Sequence, residues 1–462
     1  MKKNILLSCP FPLTFRNFIN TGLAAELEDK LSCKASFVSP YPDKYFKYED
    51  IREFNNYTVA SNSTDKGIPL LSEVTTIDSL FKSIHLTGFA IEYPDASLQN
   101  IELSKRVGLS WIVAKLITLC APRKSILRKW LRIAYSKIRP FKKSIQGAFD
   151  EIKPSIVIVA SPGHYWLDHF VIDEAKRRNI PVFCIILSWD NLYSRGPLCR
   201  RPDYMMVWSE EMKRQAIDIH SYPAEKISVT GALQFKFYDH IPSVDEVNAL
   251  KSNLGITFDQ EYIAYVCGAR TSLYDVEDVL VMKSILEKSR FSNCKIIVRP
   301  HPQGDKENYK ILHQHGIIVD QGLDILNSNP DSFNRTSMQY MAAFLTGARF
   351  VVSSWGTTAL LEACIFQRPS IQLRWMEKIL HANTKEVEMV QNFQRYLHMK
   401  AFDNEGARLY CDSPDTLVDT MSRLENELTD FEKRRKNTVN KIVKTPLHEV
   451  LDRVVSTIQT KL

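Results

Sequence analysis

Two separate series of short apolar runs, alternating with helix-length segments, constrain this chain more than any other feature. The first series comprises Asn4 to Cys9 (NILLSC), Ala35 to Val38, Ser155 to Ala160 (SIVIVA), Pro181 to Leu187 (PVFCIIL), Tyr204 to Trp208 and Ile227 to Val229. The second comprises Tyr262 to Val266, Lys295 to Val298, Ile317 to Val319, Phe350 to Val352 and Ser370 to Leu373. Strands that are apolar along their whole length, rather than at alternate positions, belong to parallel sheets covered on both faces. Parallel neighbours need crossover connections, and the intervening segments are helical in period.

At 462 residues the chain is too long for one compact core and suits two doubly wound domains. The expected class is α/β, with two Rossmann-like domains facing a cleft and helices at the C-terminus. The acidic helix Ser243 to Leu254 follows the first series, which places the domains at 1–238 and 239–430. A terminal helix, 431–462, is placed so that it can cross back to the first domain.

The composition, 44% hydrophobic and 24% charged, is that of a globular protein. Nine scattered cysteines without a CxxC pair argue for reduced thiols in the cytosol and against a zinc site. No run approaches the roughly 18 apolar residues of a membrane span. The apolar beginning is broken by Pro10 and Pro12 and reads as a first strand rather than a signal peptide.

A net charge of +7 is concentrated in a helical insertion at about 99–150. Between Arg123 and Lys143 basic residues share a helix with Ile126, Leu127, Trp130, Leu131 and Ile138 and no acid intervenes. Such a helix suits peripheral contact with an anionic membrane, and a core-packed helix with a solvated basic back is the alternative. No nucleic-acid-binding signature accompanies the charge.

In open α/β sheets ligands bind beyond the carboxyl ends of the strands. The second series delivers Gly268 and Arg270 there, then Arg299, His301, Pro302 and Gln303 from KIIVRPHPQ, then the turn Ser353, Ser354, Gly356, Thr357, Thr358. That turn opens an apolar helix, where free backbone N–H groups favour phosphate. Glu362, a turn further on, can reach a ribose hydroxyl. Ordinary N-capping by the serines and surface ion pairs at the arginines are the competing readings.

From the first series come Arg16 and Asn17 in a loop, Ser161, Gly163 and His164, and then Asp190 and Asn191. Asp190 is the best-placed carboxylate for general base or nucleophile work, with His164 the alternative base and a turn cap the competing reading. Asp168 and His169 are expected to cap or to face solvent.

The RPHP turn and the SSWGTTALLEA strand-turn-helix resemble the GT-B glycosyltransferases of bacterial surface polysaccharide synthesis. The His-Pro pair followed by a Ser-Ser turn is similar to the nucleotide-binding motifs of Kdo- and sialyltransferases, and the SWDN turn with Arg195 and Gly196 resembles a group of surface-carbohydrate biosynthesis proteins. The likeness covers 155–373. It implies a C-terminal domain holding a nucleotide-sugar donor and an N-terminal domain holding a glycan or lipid-linked acceptor. It also implies no cofactor and no metal, and a place in the cytoplasm at the inner face of the membrane. By the same resemblance His301, Ser353, Ser354, Thr357 and Thr358 hold phosphate, Glu362 the ribose, and Asp190 acts at the acceptor or the anomeric carbon. Teichoic-acid-type CDP-polyol phosphotransferases and UDP-N-acetylglucosamine 2-epimerases share the fold and similar turns. A non-catalytic glycan-assembly subunit is a third alternative.

Overall fold

The computed structural model describes residues 3–39, 55–58, 116, 143–195, 198, 200–268, 272–301, 306–320, 335–354, 358–375 and 397–462. The proposed membrane-facing stretch Arg123–Lys143, apart from its last residue, lies outside them, as do Arg270, Pro302, Gln303, Gly356 and Thr357. The chain forms two compact units, one of Met1–Lys236 with Ile442–Leu462, the other of Phe237–Lys441.

Unit 1 is built on a parallel seven-stranded sheet in the order β3-β2-β1-β4-β5-β6-β7. Its strands are β1 (Lys3–Ser8), β2 (Cys33–Ser39), β3 (Asn55–Thr58), β4 (Ile156–Val159), β5 (Val182–Ile185), β6 (Tyr204–Val207) and β7 (Ile227–Val229). Between β1 and β2 run α1 (Pro12–Phe15), a π-helical turn (Arg16–Asn20) and α2 (Leu23–Leu31). Arg16 and Asn17 therefore sit in a helical turn rather than the expected loop. The remaining helices are α3 (Lys143–Ile152), α4 (Trp166–Arg177), α5 (Asn191–Ser194) and α6 (Glu210–Asp218). The central strands β4 and β5 are buried along their length because both faces are covered.

The last helix of the chain also belongs to unit 1. Its residues Val450, Leu451, Val454, Val455 and Ile458 join Ile5, Leu7, Leu23 and Leu27 in one core. The Lys444 N–H donates to Trp208 O at 2.8 Å, which fixes the approach to that helix.

Unit 2 carries a parallel six-stranded sheet in the order β10-β9-β8-β11-β12-β13. Its elements are α7 (Val244–Asn253), β8 (Tyr262–Val266), α8 (Ser272–Leu286), β9 (Lys295–Arg299), α9 (Lys310–Gln314), β10 (Ile318–Val319), α10 (Arg335–Gly347), β11 (Phe350–Ser353) and α11 (Thr358–Ile365). Then follow β12 (Ser370–Leu373), α12 (Leu397–Glu405), β13 (Leu409–Cys411), α13 (Leu417–Asn426) and α14 (Leu428–Ile442), with α15 (Val450–Thr460) in unit 1. The start of α7 is a full capping box: Ser243 accepts the Glu246 N–H while Glu246 accepts the Ser243 N–H. Gly347, at the end of α10, allows close packing, since a Cβ there would lie 2.7 Å from both Tyr262 Oη and Val247 Cγ1.

No helix among the described residues is long and apolar enough to cross a membrane. The seven described cysteines are buried, and none of them is in a disulfide.

Candidate functional site

In unit 2 the chain leaves β8 outward through β9 and β10, then returns to the other side of β8 with β11 and continues to β12 and β13. This reversal puts a topological switch point between β8 and β11, the position at which open α/β sheets take their ligands. Gly268 lies two residues past β8, His301 two past β9, and Ser354 directly follows β11. Since β9 and β11 both flank β8, the His301 and Ser354 bends are two strand spacings apart, roughly 10 Å.

Beneath that edge lies a polar cluster that the sequence reading passed over. Asp275 and Asp278, one turn apart on α8, are both fully buried. Ser354 Oγ donates to Asp278 Oδ2, and Trp375 Nε1 donates to Asp278 Oδ1 at 2.6 Å. Tyr265 Oη, on β8, lies 2.5 Å from Ser354 Oγ and donates to Asp275 Oδ1 at 3.1 Å. Burial pushes the Asp278 carboxyl up to about 6, against the pull of hydrogen bonds from Ser354, Trp375 and Tyr265. Strands β8 and β11 and the start of the loop after β12 are thus tied to one helix.

The Ser354 hydroxyl accordingly points inward. The group expected to grip phosphate fixes the turn instead, and Ser353 is likewise fully buried. What this turn can offer a ligand is the unbonded N–H groups in the first turn of α11, which begins at half-buried Thr358. Glu362, on the same helix, accepts Tyr238 Oη at 3.0 Å. His301 is half-buried, and burial lowers its pKa, so its ring is neutral at pH 7. Arg299 resolves to the ion-pair reading: it bonds Asp320, which Tyr340 Oη also contacts at 2.8 Å, between the rings of Tyr340 and Phe344.

Unit 1 repeats the device at its own switch point, between β1 and β4. Asp168, in the first turn of α4, accepts Ser8 Oγ on Oδ1 and Ser161 Oγ on Oδ2, both at 2.6 Å. The expectation that Asp168 caps or faces solvent is corrected: it is fully buried, and that burial raises its carboxyl to about 7. His169 is also buried, with Nε2 3.6 Å from Asp173 Oδ2. Asp173 in turn takes Arg200 Nε at 2.5 Å and Nη2 at 2.9 Å. The loop that carries His164 depends on this pair. Gly163 has φ +79°, and a Cβ there would lie 3.1 Å from Arg200 Cβ.

His164 is half-buried in that loop, and beside it stands Tyr165, whose ring packs 4.6 Å from Phe11. Burial raises the Tyr165 hydroxyl, with the charges of Arg195, Asp168 and Asp190 as lesser influences. Asp190 accepts Ser194 Oγ and, at 3.4 Å, Asn191 Nδ2. Asn191 is buried and its Oδ1 receives the Ser188 N–H at 3.2 Å. Arg16 donates to Gln234 Oε1 at 2.6 Å and to Asn17 Oδ1 at 3.1 Å from the π-helical turn, a backbone form frequent at functional sites. Among the described residues no three His, Cys, Asp or Glu side chains converge as a metal site.

No protein-family model matches the sequence, and no curated protein matches it either. Solved structures do share the fold. The UDP-GlcNAc 2-epimerase of Neisseria meningitidis, bound to UDP-GlcNAc, superposes with a TM-score of 0.55 at 11% identity, covering 100% of both chains. An enzyme from Listeria monocytogenes described as a UDP-N-acetylglucosamine 2-epimerase gives 0.54 at 12% identity, over 100% of this chain and 97% of the other. The wall teichoic acid polymerase TagF gives 0.50 at 9% identity, over 100% of this chain and 89% of its own. The chain therefore has the two-domain GT-B type of fold seen in carbohydrate-processing enzymes.

Proposed function

We propose that this chain is a metal-independent glycosyltransferase that moves a sugar from a nucleotide-sugar donor to a surface glycan or lipid-linked acceptor. The observation that carries the reading is the arrangement at the unit 2 switch point. There the N-terminus of α11, the braced Ser354, Gly268 and His301 lie at adjacent strand ends. A diphosphate suits this setting: N–H groups and the helix dipole stabilise its charge without reorganising as the leaving group departs. Glu362, oriented by Tyr238, is within the same helix for the ribose.

Unit 1 supplies the acceptor side in this reading. Asp190, half-buried after β5, takes the proton of the acceptor hydroxyl, with His164 and Tyr165 on the neighbouring loop orienting it. A second reading, epimerisation of the sugar on the nucleotide, is favoured by the likeness to the Neisseria enzyme over the whole chain.

The test has two steps. A thermal-shift screen of UDP, GDP, CDP, CMP and their sugars selects the donor, because ligand binding raises apparent stability by mass action. Mass spectrometry then follows the sugar with a glycan acceptor present. Transfer with release of nucleotide, lost in Asp190→Ala, supports the proposal. Conversion of the donor to an isomer without an acceptor identifies an epimerase, and transfer of a polyol phosphate with release of CMP identifies the phosphotransferase. Absence of turnover leaves a binding subunit.

A further inference from the structure

At the opposite edge of unit 2, where β12 and β13 begin, three arginines gather. Arg368 closes the turn from α11 into β12, Arg408 immediately precedes β13, and Arg435 lies on α14. Arg408 and Arg435 are only 3% and 2% exposed. Among the described residues, Nε and Nη1 of Arg408, Nε and Nη1 of Arg435 and Nε of Arg368 are buried with no hydrogen-bond partner. Ser370 Oγ, at the start of β12, is also buried and unpartnered there.

β12 and β13 pair in parallel with Ile371 opposite Leu409, so Ser370 and Arg408 stand side by side where the strands begin. Helix α14 packs against the same turn, since a Cβ on Gly406 would lie 2.8 Å from Arg434 Nη1, and Arg408 and Arg435 both act on the Cys364 thiol. Among the described residues Asp403 pairs with Arg408, and Glu432 is the acid that acts on Arg435, so two carboxylates stand against three guanidiniums. Cys364 stays a thiol because burial pushes it up to about 12 despite these neighbours. Arg408 Nη2 reaches Asp403 Oδ1 at 3.2 Å and Tyr410 Oη at 2.6 Å, which occupies one corner of one fork. Glu432, the acid nearest Arg435 on α14, receives Lys436 Nζ at 2.7 Å on the surface. Burying guanidinium N–H groups without an acceptor is costly, and the cost is removed when an anion accepts them. Guanidinium forks match tetrahedral oxyanions in geometry as well as charge.

We propose that Arg368, Arg408 and Arg435, with Ser370, form a binding site for a phosphate-type oxyanion, separate from the strand ends that carry His301 and Ser354. The proposal does not depend on the glycosyltransferase reading. It is tested by thermal unfolding of the full chain in inorganic phosphate, against chloride at equal ionic strength. Wild type is expected to gain roughly 3 °C or more, saturating with phosphate. Arg435→Met is expected to lose that gain and, relieved of a bare buried charge, to melt no lower than wild type in phosphate-free buffer. His301→Ala is expected to keep the gain, which separates this site from the nucleotide site. Should Arg435→Met not fold, Arg408→Lys retains the charge without the fork, and calorimetry should show phosphate bound at least about tenfold more weakly. A phosphate response that is absent in wild type, unchanged in Arg435→Met or Arg408→Lys, or abolished only by His301→Ala overturns the proposal.

Discussion

Ser354, at the carboxyl end of β11, gives its hydroxyl hydrogen to Asp278 on α8. This bond turns a residue that reads as a ligand contact into a brace, and the brace has company. Asp278 also holds Trp375 from the loop after β12, and Tyr265 of β8 packs against the same serine. A comparable bond network in unit 1 ties Ser8 and Ser161 to Asp168. Each unit therefore fixes its switch point from below with a buried carboxyl.

Ser354→Ala is expected to destabilise the fold by about 1–3 kcal/mol, because it removes a donor from a buried carboxyl. Urea unfolding measures this. A loss of nucleotide affinity should follow through the displaced turn, so Ser354→Thr, which keeps the hydroxyl, should restore much of it. A stability unchanged in Ser354→Ala would show that the bond braces nothing.

Asp168 makes stability depend on pH in the direction opposite to a salt-bridged carboxylate. Its carboxyl titrates near 7 in the fold against an ordinary 3.8, so between those values the native state holds a proton that the unfolded chain has released. Stability must then fall as pH rises from about 4 to about 7 and level off above. Asp168→Asn removes this contribution, so its stability relative to wild type should rise by up to about 4 kcal/mol across that window. A difference that does not change with pH would contradict the assignment. Asp278 adds a fall of the same sign but smaller total, because its window ends near pH 6.

His301 is neutral when the site is empty, since burial lowers its pKa. A bound diphosphate places negative charge beside the ring and raises it again, so binding near neutral pH should take up protons. Calorimetry in two buffers of different ionisation enthalpy reads this uptake directly. His301→Ala should abolish it and weaken binding by about tenfold, or ~1.4 kcal/mol.

Asp320→Ala should cost about 3–5 kcal/mol, since it strands the buried Arg299 without its partner. Chemical denaturation checks this, and a cost below about 1 kcal/mol would return Arg299 to the ligand-facing role that its position at the head of the RPHP turn suggests.

The layout of the sheets was open to reading from sequence because parallel strands announce themselves as uninterrupted apolar runs. Tyr262–Val266 and Ser370–Leu373 coincide with the observed strands. Leu409–Cys411 escaped notice: three residues among polar neighbours carry no period. Positions at strand ends were equally readable, but the direction of a side chain was not. Ser354 and Asp168 look like surface polar residues in one dimension, and only packing shows that both turn inward. The missed signal was on α8, where Asp275 and Asp278 interrupt a stripe that also carries Val276, Val279 and Met282 into the core. Two acids on the buried face of a helix that follows the first strand of a switch point are worth treating as part of a site.

The most direct measurement is a crystal structure of the chain with the nucleoside diphosphate that the thermal-shift screen selects. The phosphates should lie over the gap between β8 and β11, with oxygens in hydrogen-bond range of the first-turn N–H groups of α11 and of His301. Phosphates bound elsewhere, with both bends bare at full ligand occupancy, would contradict the account.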